Sequence, residues 1–156
     1  ENKGQIIATD IYESKLKKLK IRTRRAGVFN VTTKELDSTK VIKKMKGTAD
    51  RVLIDAPCSG IGVLRRNPDS KWKLEPEFVD NIIKTQAEIL ENYSQLVKVG
   101  GKMVYATCSI LPSENENQVK NFLKNHPEFE LEKQNKVSAY KSGFDGFYMA
   151  LLERKN

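Results

Sequence analysis

The stretch at residues 52–62, VLIDAPCSGIG, decides the fold that the sequence predicts. It begins as an apolar run typical of a buried strand and stops abruptly on Asp55 and Cys58, before serine and glycine break the pattern. A second apolar run, at residues 103–106, ends in the same way at Cys108. An acid and a thiol at the end of a buried strand favour a reaction site over a packing solution.

Outside these runs, segments of strand type alternate with segments of helical periodicity. The sequence predicts strands at residues 5–9, 28–32, 51–55, 102–107, 129–131 and 147–152. It predicts helices between Asp10 and Gly27, over residues 76–97 and after a capping box formed by Ser113 and Glu116. Strands that alternate with helices predict an α/β fold with a mainly parallel sheet.

Three further expectations concern local structure. A parallel strand is normally covered on both faces, so residues 51–55 are expected to be buried on both sides. Gly100 and Gly101 are expected to end the long helix, since glycine is common just after helices. Residues 41–47, 60–74 and 136–143 are expected to be connections without a clear element.

Polar residues collect at the predicted carboxyl ends of the strands, where ligands bind in parallel sheets. They are Asp10, Asp37, Asp55, Cys58 and Cys108. Asp10 alone is explained equally well as a helix cap. Five such residues at one edge of a sheet predict a binding or catalytic site there.

Composition sets outer bounds on the function. The 156 residues, 38% hydrophobic and 31% charged, predict a single globular domain over residues 1–156. A net charge of +8 favours polyanionic partners, although a lysine-rich solvated surface explains it as well. No apolar run approaches the roughly 20 residues of a membrane span, so we expect no membrane partner. Two cysteines are too few for a zinc site or a disulfide scaffold, which predicts no metal and a reducing cytoplasm.

Several motifs together resemble one known family. Residues 55–72, DAPCSGIGVLRRNPDSKW, and residues 105–116, YATCSILPSENE, resemble the RNA cytosine-5 methyltransferases of the RsmB/Nop/Sun group. Residues 144–152, FDGFYMALL, resemble the closing motif of that family, and residues 8–19, ATDIYESKLKKL, its second cofactor motif. The resemblance implies a Rossmann-like S-adenosylmethionine-dependent methyltransferase fold with an antiparallel last strand. It also implies RNA, in particular ribosomal RNA, as the substrate.

The resemblance assigns different roles to the two thiols. Cys108, in the TCS motif, would be the nucleophile that adds to carbon 6 of cytosine, which is covalent catalysis of a common kind. Cys58, in the DAPC motif, would assist release of the methylated RNA. The competing interpretation for either cysteine is a small buried hydrophobic residue. Two thiols at the ends of two neighbouring strands favour the catalytic interpretation.

The resemblance also implies where the cofactor binds. Asp10 would hold the ribose hydroxyls of S-adenosylmethionine, and Asp37 would contact the adenine amino group. Asp55 would hydrogen-bond the target cytosine, and together with Pro57, which shapes the turn, it would border the cofactor.

A third group of residues suits RNA. Arg65, Arg66 and Lys71 would contact phosphates, and Trp72 could stack on an exposed base. Ion pairs that stabilise the fold, with Trp72 in the core, are an equally good interpretation. His126, just before a proline at a helix end, is expected to be a satisfied cap.

The sequence departs from the family at its start. Family members carry a first strand and a glycine-rich turn that hold the methionine part of the cofactor, and nothing comparable precedes residues 1–10. We therefore expect the C-terminal part of a catalytic domain, weak cofactor binding by this part alone, and self-association through its incomplete sheet. Two rival functions are a methyltransferase acting on an exocyclic amine, which the two cysteines disfavour, and a non-catalytic, basic RNA-binding module with the same fold.

Overall fold

A computed structural model describes residues 2–36, 39–72 and 74–156. The chain forms two compact units, Glu1–Lys44 and Met45–Asn156. The first contains β1 (Ile6–Asp10), α1 (Glu13–Arg25), β2 (Val31–Glu35) and α2 (Thr39–Lys44). The second contains β3 (Ala49–Asp55), α3 (Pro76–Ser94), β4 (Val97–Thr107), α4 (Glu116–Asn125), β5 (Phe129–Val137), α5 (Ala139–Ser142) and β6 (Phe147–Arg154). The predicted α/β fold is confirmed.

In the first unit, β1 and β2 pair in parallel, and Leu16 of α1 is buried. Gly27 follows the end of α1 with a φ of +65°, as its position in the sequence predicts. β2 begins three residues later than predicted. The Asn2 side chain explains this, because it donates to the Gly27 carbonyl and accepts from the Phe29 N–H, which holds the chain between them in a turn.

The second unit contains a four-stranded sheet in the order β3–β4–β6–β5. β3 and β4 are parallel, whereas β6 runs antiparallel to both β4 and β5. Three strands therefore point the same way and the last strand of the chain points the opposite way. This confirms the antiparallel last strand.

The core of this unit lies between the sheet and the helices α3 and α4. The largest fully buried apolar side chains are Leu90, Val97, Met103, Tyr105, Val119, Tyr148 and Leu152. Full burial of a side chain of this size contributes about 1.5–3 kcal/mol relative to exposure. The two central strands, β4 and β6, supply most of the set, so the end of β4 is among the best-supported parts of the chain.

The expectation that β3 is buried on both faces is wrong. In the part of the chain that the structure describes, β3 has one neighbouring strand and forms an edge of its sheet. Ile54 is buried against the core, whereas Leu53 on the opposite face is 73% exposed. The side chains of β3 therefore alternate between exposed and buried positions, as in a strand that is covered on one face only.

The predicted end of the long helix is also wrong, because α3 ends at Ser94 and β4 already begins at Val97. The pairing of β3 with β4 jumps from Ala49↔Val97 to Arg51↔Lys102, so residues 98–101 form a bulge. Gly100 supplies the positive φ of +74° that this bulge requires. The two glycines thus shape a strand and do not terminate a helix.

Four other local features differ from the predictions. α4 begins at Glu116 without a side-chain cap, so Ser113 does not form the predicted capping box. β5 continues to Val137 and is followed by α5, which replaces the expected polar connection. The segment after β3 contains two short 3₁₀ turns, Ile61–Val63 and Pro68–Trp72, and α2 overlaps the first part of the connection predicted at residues 41–47. None of the described helices is long and apolar enough to cross a membrane.

Candidate active site at the ends of two parallel strands

The sheet brings the two cysteine-bearing segments together. β3 and β4 are adjacent and in register up to Asp55 and Ala106. The Ala56 N–H donates to the Ala106 carbonyl at 2.9 Å, which extends the pairing beyond the end of β3. Cys58 and Cys108 follow directly, so the prediction that their strands are neighbours is confirmed.

The two thiols are in direct contact. The Sγ atoms of Cys58 and Cys108 lie 3.2 Å apart, and both cysteines are free and half-buried. Burial, and then the contact with the Cys108 thiol, raise the pKa of Cys58 to about 12. Cys58 is therefore protonated at neutral pH.

The loop that carries Cys108 is held by residues close to it in sequence. The Thr107 hydroxyl donates to the Asn115 side-chain oxygen at 2.5 Å, and the Asn115 amide donates to the Ser109 carbonyl at 3.0 Å. All three residues are fully buried. Asn115 thus holds the side chain of Thr107 and the backbone of Ser109, on the two sides of Cys108, and it makes no side-chain cap on α4.

The loop that carries Cys58 is held from farther away. The Gln86 side chain of α3, itself fully buried, donates to the Pro57 carbonyl at 2.8 Å. On the other side of Cys58, the Ser59 N–H donates to the buried carboxylate of Glu114 at 3.0 Å. Each neighbour of Cys58 is therefore anchored by a side chain from another element.

Sequence reasoning missed Gln86, Glu114 and Asn115. Glu114 and Asn115 lie inside the motif at residues 105–116, but a motif match alone gave them no role. The one readable signal for Gln86 is a polar residue among the apolar positions of the long helix. An interior polar side chain at such a position requires a partner.

Two glycines join three motifs at one point. The Gly62 N–H donates to the Cys108 carbonyl at 2.9 Å, and the Gly146 N–H donates to the Gly62 carbonyl at 2.8 Å. A Cβ atom on Gly62 would lie 2.1 Å from the Gly146 oxygen and 2.6 Å from the Cys108 oxygen. Only glycine fits there. The turn that precedes β6 thus lies beside the Cys108 loop.

Arg65 and Arg66 are exposed but already engaged within the protein. The Arg65 guanidinium donates to the Gly143 carbonyl at 2.7 Å, and Arg66 pairs with Asp145 at 2.7 Å. These contacts fasten the segment after β3 to the turn before β6, which supports the structural interpretation of both arginines. The side chain of Phe144, between the two anchored positions, is 74% exposed.

Lys71 and Trp72 are both solvent-facing. Trp72 is 78% exposed, so the alternative that it fills the core is wrong. The Lys71 ammonium lies 4.6 Å from the centre of the Trp72 ring, a cation–π arrangement. The pair offers a cation and a flat apolar surface together.

The residues expected to hold a cofactor are distributed over both units. Asp10 ends β1, where its carboxylate accepts the Tyr12 N–H at 2.9 Å and lies 3.4 Å from the Lys15 ammonium. Asp55 ends β3 and is exposed, with Pro57 two residues on. Asp37 lies outside the described residues. Within the described ranges, no group of three or more His, Cys, Asp or Glu side chains is arranged to hold a metal.

The fold is that of a Rossmann-like methyltransferase. A solved methyltransferase homologue from Pyrococcus horikoshii matches with a TM-score of 0.83 and 25% identity, over 99% of this chain and 54% of that one. The chain belongs to the 16S rRNA methyltransferase RsmB/F family, whose family model matches residues 1–153.

Curated relatives agree with this membership. The chain is 34% identical to a probable ribosomal RNA small subunit methyltransferase B of Synechocystis sp., over 98% of its own length. It is 33% identical to the protein of the same name from Bacillus subtilis, over 99% of its length. The chain spans 38% and 39% of the lengths of these two relatives.

Proposed function

We propose that the protein methylates carbon 5 of cytosine in RNA, ribosomal RNA in particular, through a covalent bond between Cys108 and the base. The observation that carries the proposal is the pair of free thiols at the ends of adjacent parallel strands, 3.2 Å apart. The membership in an rRNA methyltransferase family supports RNA as the substrate. A cytoplasmic location remains a prediction, with which two unpaired thiols are consistent.

The reaction requires a nucleophile because carbon 5 of cytosine is too electron-poor to accept a methyl group unaided. Addition of the Cys108 thiolate to carbon 6 moves electron density to carbon 5 and makes that atom nucleophilic. Asp55, at the end of β3, hydrogen-bonds the ring and favours this addition. When bound, S-adenosylmethionine supplies an electrophilic methyl group.

Release completes the cycle. Carbon 5 then carries both the methyl group and its original proton. That proton passes to a base, the double bond between carbons 5 and 6 re-forms, and the Cys108 sulfur leaves with its bonding electrons. Cys58, which is protonated at neutral pH and touches the Cys108 sulfur, donates a hydrogen bond to the departing thiolate. Cys58 therefore acts at release of the methylated RNA, which is the step that the resemblance implies for it.

The donor chemistry fits a cofactor of this kind. A carboxylate at the end of β1, such as Asp10, can accept hydrogen bonds from the two hydroxyls of a ribose. By the resemblance, we assign the adenine contact to Asp37, and contacts beside the cytosine to Asp55 and Pro57. Because the family model matches residues 1–153, we propose that residues 1–156 act as one catalytic domain.

RNA contacts follow the exposed basic and aromatic side chains. Lys71 and Trp72 offer a phosphate contact and a stacking surface, and Phe144 offers a second exposed ring on an anchored backbone. Arg65 and Arg66 would contribute charge while they hold the turn in place. The net charge of +8 suits a polyanion.

The decisive test compares the complete natural protein with its Cys108→Ala variant on 16S rRNA and S-adenosylmethionine. We expect the variant to lose methyl transfer by at least about 1,000-fold, because it lacks the thiolate that activates carbon 5. Methylation at the wild-type rate would refute the covalent mechanism. Methylation of an exocyclic amine would support the first rival, and RNA binding without any methylation by the wild type would support the second.

The release role of Cys58 has its own test. Cys58→Ala is expected to form the bond to RNA and then release it slowly, so a protein–RNA adduct should persist on denaturing gels. Cys108→Ala is the matched control and should give no such band. A Cys58→Ala protein that turns over without any adduct would remove the release role and leave Cys108 as the nucleophile.

The position of β3 at the edge of its sheet, among the described residues, allows a prediction about association. We expect the isolated 156 residues to bind S-adenosylmethionine more weakly than about 10 μM and to self-associate through this edge. Calorimetry and sedimentation would measure both properties. Tight binding by a monomer would contradict both expectations.

A further inference from the structure

Glu114 is a fully buried carboxylate to which the proposed chemistry gives no task. It lies between the Cys108 loop and α4 and is 0% exposed. A buried carboxylate loses its contacts with water and therefore requires well-placed hydrogen-bond donors from the protein. The hydrogen-bond partners of Glu114 therefore indicate which part of the site this buried carboxylate holds in place.

The carboxylate is directed at the residue that follows Cys58. One oxygen accepts the Ser59 N–H at 3.0 Å, and the other accepts the Ser59 hydroxyl at 2.9 Å. Both donors thus come from a single residue, 55 positions away in the sequence. A carboxylate that accepts from two donors of one residue fixes both the position and the orientation of that residue.

A second link leads from Ser59 to the Cys108 loop. The hydroxyls of Ser59 and Ser109 lie 3.3 Å apart and are buried. Since Ser59 gives its proton to Glu114, Ser109 must be the donor in this pair. The hydrogen bonds therefore run from Ser109 to Ser59 to Glu114, and they connect the two residues that directly follow the two cysteines.

Glu114 itself is held rigidly. Its carbonyl accepts the buried Tyr105 hydroxyl at 2.7 Å, and its N–H donates to the Leu111 carbonyl at 3.1 Å. Tyr105 belongs to β4, the central strand that leads to Cys108. The carboxylate is thus anchored to the Cys108 side of the site and reaches across to the Cys58 side.

We propose that Glu114 is a positioning residue that holds the Cys58 thiol against the Cys108 thiol and so controls release of the methylated RNA. This inference rests on the proposed function for its consequence in the reaction. The thiol spacing on which it depends can be measured without RNA or cofactor.

The first experiment measures that spacing in the complete natural protein through disulfide formation. Glutathione disulfide oxidises the two thiols to a Cys58–Cys108 disulfide and is reduced to two molecules of glutathione. The rate of the intramolecular step depends on how often the sulfurs meet. Glu114→Gln is expected to slow this step at least about 10-fold. The substitution replaces one carboxylate oxygen with an NH2 group, which cannot accept a hydrogen bond from Ser59.

Glu116→Gln is the matched control, since Glu116 lies two residues on and is partly exposed beside Lys136. It should form the disulfide at the wild-type rate. Ser59→Ala provides a second variant in case Glu114→Gln does not fold. It keeps the N–H that the carboxylate accepts, removes the hydroxyl link, and should slow the disulfide in the same direction. Wild-type rates in a folded Glu114→Gln protein, or in Ser59→Ala, would overturn the proposal.

The second experiment follows the reaction itself. In Glu114→Gln, methyl transfer in the first turnover should stay within about 3-fold of wild type, while release slows at least about 10-fold and the RNA adduct accumulates as in Cys58→Ala. An equal loss in both steps would mean a general structural defect and would overturn the proposal. If Cys58→Ala traps RNA and Glu114→Gln does not, the role of Glu114 fails alone. If Cys108→Ala still methylates RNA, the proposed function fails instead.

Discussion

The two loops that carry the cysteines sit side by side, yet they are held in different ways. Around Cys108, the supporting contacts come from within the segment itself, chiefly from Asn115 to Thr107 and Ser109. Around Cys58, they come from Gln86 of α3 and from Glu114. The side chain that supports the Cys108 loop is therefore close to it in sequence, whereas the side chains that support the Cys58 loop come from distant parts of the chain.

This difference matches the two tasks that we propose. The atom that bonds to cytosine must be placed accurately in every turnover. A loop at the end of a central strand, whose side-chain support comes mainly from Asn115, provides that placement. The thiol that assists release has only to meet its neighbour at the right step. Loss of a distant contact should therefore impair Cys58 while Cys108 keeps its position.

Gly62→Ala should displace the Cys108 loop although Gly62 lies in the segment that carries Cys58. Gly62 touches both the Cys108 carbonyl and the turn at Gly146. The added methyl group overlaps backbone atoms, so we expect a loss of about 1–3 kcal/mol in stability. Displacement of Cys108 by about 1 Å would lower methyl transfer about 100-fold. Thermal unfolding and single-turnover assays would measure these effects.

Gly143→Ala is the matched control for this prediction. Gly143 has a φ of +72° and nothing within 4 Å of an added Cβ atom. It should lose about 1–2 kcal/mol from the left-handed backbone alone and keep methyl transfer within a few fold. Equal losses of activity in Gly62→Ala and Gly143→Ala would argue against a specific role for the contact of Gly62 with the Cys108 loop.

A pair of variants sharpens the comparison between the loops. Asn115→Ala removes the support of Cys108 and should abolish adduct formation. Gln86→Ala frees the Pro57 carbonyl and the side-chain amide of Gln118, and should slow release. Each leaves a buried polar group without its partner, which costs about 1–3 kcal/mol. Denaturing gels with labelled RNA separate the two results. Adduct formation by Asn115→Ala at the wild-type rate would show that the local contacts do not matter.

The protonation of Cys58 gives a smaller, pH-dependent effect. Its pKa is raised to about 12 by burial and by the Cys108 contact, so its reactive thiolate is scarce at neutral pH. We expect Cys58 to react with iodoacetamide at least about 100-fold more slowly at pH 8 than an exposed cysteine. The rate should rise steadily from pH 7 to pH 10. Peptide mass spectrometry resolves the two cysteines, and a plateau near pH 9 would contradict the raised pKa.

His126 provides a reference away from both cysteine loops. It ends α4 and contacts Glu91 at 2.6 Å and Glu128 at 3.1 Å, so the predicted satisfied cap is confirmed. Burial lowers its pKa, but the hydrogen bonds with the two carboxylates outweigh burial, and the pKa is raised above 6.5. The contribution of protonated His126 to the stability of the folded state is thus complete below pH 6.5, and it is lost as the pH rises through the pKa of His126 in the folded protein.

NMR titration of this single histidine would measure that pKa. Glu91→Gln should lower the midpoint, whereas Gly62→Ala should leave it unchanged. A wild-type midpoint at or below 6.5 would contradict the assignment.

Much of the architecture could be predicted because periodicity and strand endings report on it directly. The alternation of strands and helices, the end of α1 at Gly27 and the adjacency of the two cysteine strands were all readable. The errors occurred where tertiary contacts override local signals. Gly100 and Gly101 form a bulge in β4, and the side chain of Asn2 delays the start of β2.

The candidate site divides in the same way. The cysteines and Asp55 were readable because reactive residues at strand ends are unusual. Gln86 and Glu114 were not, since their importance comes from partners 29 and 55 positions away. The exposure of Trp72 and the ion pair of Arg66 with Asp145 likewise depend on how the segments fold back.

The central claim is that Cys108, and not Cys58, bonds to the base. RNA made with 5-fluorocytidine tests this directly, because fluorine at carbon 5 cannot leave as a proton and the covalent adduct is trapped. Peptide mapping of the complete natural protein bound to such 16S rRNA, with S-adenosylmethionine present, identifies the attached residue. We predict a nucleotide on Cys108 and an unmodified Cys58. A nucleotide on Cys58, or no adduct from an active enzyme, would contradict this account.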